Sequence, residues 1–74
     1  MGSLGNLTYK DVTRKLRKLG FAFYRQGAGS HEVWRNPVSG RKTTVPHHSG
    51  NLKEGTLRAI LDQAGISVEE FLAT

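Results

Sequence analysis

The stretch that most constrains this chain is Gly27-Ala28-Gly29-Ser30-His31. Strand-forming residues flank it, Phe21-Ala22-Phe23-Tyr24-Arg25 before and Val33-Trp34-Arg35 after. Two glycines within three residues admit the backbone angles of a short hairpin loop, which bulkier residues resist. The pattern predicts a hairpin with His31 at its mouth, on a rigid scaffold and near solvent. An imidazole so placed can exchange a proton with a ligand. The plainer alternative is a polar residue that merely ends a strand.

The segments around the hairpin follow from their periodicity. Thr8 reads as an N-cap with Asp11 as its capping-box partner, starting a helix from about Tyr9 to Leu19 that Gly20 closes. Tyr9, Val12, Leu16 and Leu19 form its buried stripe. Lys10, Arg14, Lys15, Arg17 and Lys18 make the remainder a solvated face, with a phosphate-facing surface as the alternative. Strands are expected over about Phe21–Gln26, Ser30–Asn36 and Arg41–Val45, with a turn at Asn36-Pro37-Val38-Ser39-Gly40 and a stop at Pro46. On the middle strand Val33 is expected inward, leaving Trp34 on the open face among Arg and Lys side chains. There it would stack on a base or anchor a partner. A second helix is expected over about Glu54–Ala64, started by Asn51 or Thr56, with Leu57, Ile60, Leu61 and Ala64 on one stripe and Gly65 closing it. Ser67 caps a last turn with Glu70, stapled by Ile66 and Phe71.

One apolar stripe per helix and one apolar side per strand fit a two-layer α+β sandwich: helix, three-stranded antiparallel sheet, helix, both helices on one face. This is the layout of a double-stranded RNA-binding domain. Seventy-four residues without cysteine must rely on one small core or on a partner, with neither disulfides nor thiolate metal ligands. Residues 1–7 are expected to be a flexible lead-in and residues 8–74 the single domain. No apolar run approaches the roughly 20 residues of a membrane helix, so a soluble cytoplasmic protein is expected. Charge is uneven: residues 1–48 hold nine Lys/Arg against two Asp/Glu, +7, and residues 49–74 are −2. The basic part points to a polyanion, most simply nucleic acid. His47 and His48 are adjacent and point apart on an extended chain. Even with His31 they lack a carboxylate or thiolate beside them, so neither metal nor cofactor is expected.

In order and spacing, several short pieces resemble the HicA toxins of type II toxin–antitoxin pairs. They are Lys15-Leu16-x-x-Leu19-Gly20-Phe21, Arg25-Gln26 leading to Gly29-Ser30-His31, Val45-Pro46-x-His48, Gly55-Thr56-Leu57-Arg58-x-Ile60-Leu61, Gln63-Ala64-Gly65-Ile66 and Glu70-Phe71. Together they span about residues 12 to 72. Ala28, where a Lys is frequent, and Trp34, where Tyr or Phe is usual, are the departures. The resemblance implies a small mRNA-cleaving ribonuclease with His31 as its catalytic histidine, neutralised by a HicB-type antitoxin. RNA brings its own nucleophile, the 2′-OH, so a base and charge stabilisation would suffice. His31 is the candidate base, and Arg25, Ser30, Arg35, Arg41 and Lys42 are candidates to hold phosphate. His48 is a candidate acid for the leaving oxygen, or a structural loop contact. The rival readings are a non-catalytic RNA-binding module and a protein-interaction module.

Overall fold

The first helix begins where a reciprocal cap satisfies its leading amides. In the computed structural model, which describes residues 4–74, the Thr8 hydroxyl accepts from the Asp11 amide at 3.2 Å, and the Thr8 amide donates to the Asp11 carboxylate at 3.0 Å. The Asp11 carboxyl is held below its ordinary value, first by the Thr8 backbone hydrogen bond and then by the Thr8 side chain. Helix α1 (Tyr9–Lys18) follows, and Gly20, at φ +96°, turns the chain out of it. Three short strands come next: β1 (Ala22–Gln26), β2 (His31–Arg35) and β3 (Lys42–Pro46), antiparallel in the order β1-β2-β3. Helix α2 (Glu54–Ala64) and the short α3 (Val68–Leu72) complete the α+β layout that the periodicity predicts. Ser67 caps α3 by accepting from the Glu70 amide at 3.0 Å. The start of α2 departs from expectation: its N-cap is Lys53, which makes no side-chain cap bond, rather than Asn51 or Thr56.

The core joins Val12 and Leu16 of α1, Trp34 and Val45 of the sheet, Leu57, Ile60 and Leu61 of α2, and Phe71 of α3. It also takes in the chain before Thr8. Leu4 is 2 % exposed within the core, Leu7 packs against it, and the Leu7 carbonyl accepts from the Leu52 amide at 2.8 Å. Packing therefore begins upstream of the expected boundary at Thr8, because a core this small gains from every leucine it can cover; residues 1–3 of the expected lead-in lie outside the described residues. Among the described residues, no helix is long and apolar enough to cross a membrane.

The orientation of β2 corrects the sequence-based expectation. Trp34, expected on the open face as a partner anchor, is 1 % exposed in the core, while Val33 lies half-buried on the opposite side. Alternation makes the choice collective, since a one-residue slip turns every side chain over. Burying Val33 would have turned His31 and Arg35 toward the helices and Trp34 and Glu32 toward water. Burying Trp34 hides more apolar area than Val33 could, and the Arg17 guanidinium lies 4.9 Å from its ring. Glu32 must go inward with it, which is tolerable only because three donors meet its carboxylate there.

Candidate functional site

Gly27 and Gly29 shape the turn that presents His31. The Gly27 amide donates to the His31 carbonyl at 2.8 Å, and a Cβ on Gly27 would stand 3.2 Å from that same oxygen. Gly29 sits at φ +58°, a left-handed conformation in which a side chain is strained. The His31 amide donates back to the Ala28 carbonyl at 3.0 Å, and the Gln26 amide group donates to the carbonyls of Gly29 and His31 at 3.1 and 2.9 Å. The backbone of the turn is thereby fastened while the imidazole stays exposed. His31 is paired with Pro46 across β2 and β3, so it shares the open face with Val33, Arg35, Lys42 and Thr44.

His31 also lines a cavity of about 480 Å³ between the β3 edge and α2. Its wall includes Ser30, Thr44, His48, Lys53, Thr56 and Gln63. Gln63 forms part of that wall because its Oε1 accepts the outward-facing Thr44 amide at 3.1 Å. Nearby the Thr43 hydroxyl donates to the Ile60 carbonyl at 2.8 Å, so α2 is tied along the strand edge. His48 comes to the cavity from the loop after β3, its Nδ1 3.1 Å from the Ser49 carbonyl. Lys53 brings a cation to the same hollow. Among the described residues no group of three or more His, Asp or Glu side chains is placed to hold a metal ion.

The candidate phosphate contacts fall into separate groups. Ser30 lines the cavity with His31 and His48. Arg25, Arg35 and Lys42 belong to the open face, where Arg25 pairs with Val33 and Arg35 with Lys42. Arg41 leaves this group: its guanidinium packs over Gly65 at the end of α2, with Nε 2.8 Å from where a glycine Cβ would stand. Two cations of α1 also make contacts within the chain: Arg17, though exposed, lies over the Trp34 ring, and Lys15 donates to the Thr74 carbonyl at 2.8 Å. Lys10, Arg14 and Lys18 remain on the exposed face of the helix.

On the other side of β2 lies a cluster that motif reading overlooked. Glu32, 7 % exposed, accepts from the Tyr9 hydroxyl at 2.6 Å and the Trp34 Nε1–H at 3.1 Å, and its second oxygen lies 3.0 Å from His47 Nδ1. Burial pushes the Glu32 carboxyl up, but the hydrogen bonds from Tyr9, Trp34 and His47 together outweigh it and leave it below its ordinary value. Burial first, then the bond to Glu32, raise the Tyr9 hydroxyl to about 12, so Tyr9 stays a donor. The Tyr9 and His47 rings stack at 3.9 Å, and the His47 amide donates to the Ser30 carbonyl at 2.8 Å. Glu32 thus clamps α1, β2 and the His48 loop around the residue that precedes His31. One signal pointed to it: Glu32 and Asp11 are the only acidic residues in the basic first 48, and Asp11 has a cap to serve.

The family model for the HicA toxin of bacterial toxin–antitoxin systems matches residues 9–66, from the start of α1 to just past α2. No curated protein matches the chain. That family is known for RNA-cleaving toxins, each implying an antitoxin partner. With its helix–sheet–helix order and its match across nearly all of that architecture, the chain belongs to the HicA toxin family of bacterial toxin–antitoxin systems.

Proposed function

We propose that this chain is an endoribonuclease that cleaves single-stranded mRNA in the cytoplasm through His31 and is silenced by a HicB-type antitoxin. The observation that carries the reading is the exposed His31 imidazole at the rim of a cavity shared with His48 and Lys53, in a chain of a toxin family. Neutral His31 takes the proton of an RNA 2′-OH as that oxygen attacks the adjacent phosphorus. The bond from phosphorus to the 5′ oxygen then breaks, and His48 is the candidate to protonate the departing oxygen. The products are a 2′,3′-cyclic phosphate and a 5′-hydroxyl. A well-placed base contributes roughly 10²–10⁴-fold. Lys53, in the cavity with His31, stabilises the charge that builds on the scissile phosphate, and the open-face cations Arg25, Arg35 and Lys42 hold the RNA backbone that leads to it. No step calls on a metal ion.

The antitoxin is proposed to cover the open face and the His31 cavity, keeping phosphate from the imidazole. The +7 balance of residues 1–48 favours an acidic docking surface. Trp34, being buried, is not available as its anchor.

The test is cleavage of single-stranded RNA by the purified chain and its His31→Ala variant, with thermal melting of both. Loss of cleavage in a variant that melts like wild type is expected, with wild-type cleavage undiminished in EDTA. A folded His31→Ala protein that cleaves at near wild-type rate overturns the assignment. Wild-type binding of RNA without cleavage would make the protein a binding module instead.

A further inference from the structure

β1 carries an irregularity with a consequence for RNA. Its pairing with β2 runs Phe23 to Trp34 and then Arg25 to Val33, which leaves Tyr24 as the extra residue of a bulge. In a regular strand Tyr24 and Arg25 would point to opposite faces. A bulge re-aims side chains, and here both residues reach the open face. Arg25 does so through its pairing with Val33; for Tyr24 it is shown by the cations at its ring, Arg35 at 5.4 Å and Lys42 at 5.3 Å from the centroid. Phe23, by contrast, meets the buried Trp34 edge-on at 6.4 Å.

Tyr24 keeps 48 % of its surface exposed although it lies against two cations. That is poor use of a large aromatic ring unless something covers it. A planar ring on an open sheet, bordered by an arginine and a lysine that can meet phosphate, has the composition of a single-stranded nucleic-acid platform: the base stacks and the backbone is neutralised beside it. Resting on the ribonuclease reading above, we propose that Tyr24, flanked by Arg35 and Lys42, is a nucleobase-stacking subsite for single-stranded RNA, separate from the His31 cavity. Arg35 stands four residues along β2 from His31, about 13 Å at the usual strand rise. The base stacked on Tyr24 is therefore not one flanking the scissile bond, and the subsite adds affinity and register rather than chemistry.

The experiment measures binding of a fluorescein-labelled 2′-O-methyl decaadenylate, which has no free 2′-OH and so cannot be cleaved by this route, across a salt series. The proteins are wild type, Tyr24→Ala, Tyr24→Phe, Arg35→Ala and Lys42→Ala. Tyr24→Ala is expected to bind about 5- to 100-fold more weakly with an unchanged salt slope, and Tyr24→Phe to bind like wild type. Arg35→Ala and Lys42→Ala should each make the slope shallower by about 0.7. An abasic oligomer of the same length should bind wild type as weakly as the decaadenylate binds Tyr24→Ala. Thermal melting accompanies each variant, and Tyr24→Thr, a strand-former without a ring, replaces the alanine if that variant melts early. Equal binding by wild type and Tyr24→Ala overturns the subsite while wild-type cleavage keeps the ribonuclease reading in place. A Tyr24→Ala variant that binds the oligomer normally but loses the antitoxin also overturns it, making the patch a protein surface. Wild type that neither cleaves RNA nor binds the oligomer removes the ribonuclease reading and the subsite together.

Discussion

Trp34 and Glu32 depend on each other, and substitutions at the two positions should fail differently. Trp34→Ala empties a large core site and leaves Glu32 one donor short. The expected cost is about 3–5 kcal/mol, a large part of the roughly 4–11 kcal/mol available to a domain of this length. Urea unfolding should therefore show a mostly destabilised protein rather than a folded one with a weakened interface. Glu32→Gln keeps the volume but cannot accept from all its donors. Because the Glu32 carboxyl is depressed in the folded state, the unfolded chain takes up the proton first as pH falls. Its stabilisation is thus fully present above the ordinary carboxylate value, about 4.3, and is lost as pH drops through the folded value. Thermal midpoints from pH 7 to pH 3 should fall steeply for wild type. The Glu32→Gln variant should start lower and lose less across the same range. Asp11, shifted in the same direction by its hydrogen bonds to Thr8, leaves a smaller acid slope in that variant.

Helix α1 draws its start from a cap and its seat from cations that reach beyond its own face. Thr8→Ala removes the hydroxyl that accepts from Asp11 and should cost about 1 kcal/mol. For a domain of this size that corresponds to a fall of about 4–8 °C in thermal midpoint, measurable by circular dichroism. Cleavage per folded molecule should be unaffected, since Thr8 does not line the His31 cavity. Helix α2 has a second role. By offering Gln63 to the Thr44 amide it covers an outer edge of the sheet and supplies a wall of the cavity.

The molecule as a whole separates a basic open face, with His31 near one end and Tyr24, Arg35 and Lys42 near the other, from a covered face that holds the core. Affinity for single-stranded RNA should fall with salt by about 0.7 logarithmic units per neutralised phosphate for each decade of salt concentration. A total slope of about −2 is expected if Arg25, Arg35 and Lys42 each meet one phosphate. A slope near zero would mean these cations do not contact the backbone.

The sequence alone determined the order of elements, because helical stripes, strand-forming runs and glycine stops are local signals that neighbouring residues reinforce. It also determined the turn around His31, since Gly27 and Gly29 admit the close approach and left-handed backbone that a tight loop between two strand-forming runs requires. The family match across residues 9–66 accords with that order of elements. The facing of β2 was decided only in the folded structure. Glu32, Val33 and Trp34 give no alternation to read, and whether a carboxylate can be buried depends on donors from Tyr9 and His47, far away in sequence. The gathering of Ser30, His31, His48 and Lys53 around one cavity likewise required α2 to lie along β3. Packing turned Arg41 aside, where Gly65 leaves room for its guanidinium, and the bulge in β1 brought Tyr24 to the face that His31 shares. Such placements depend on which surfaces meet across the fold, and no local pattern of residues encodes that meeting.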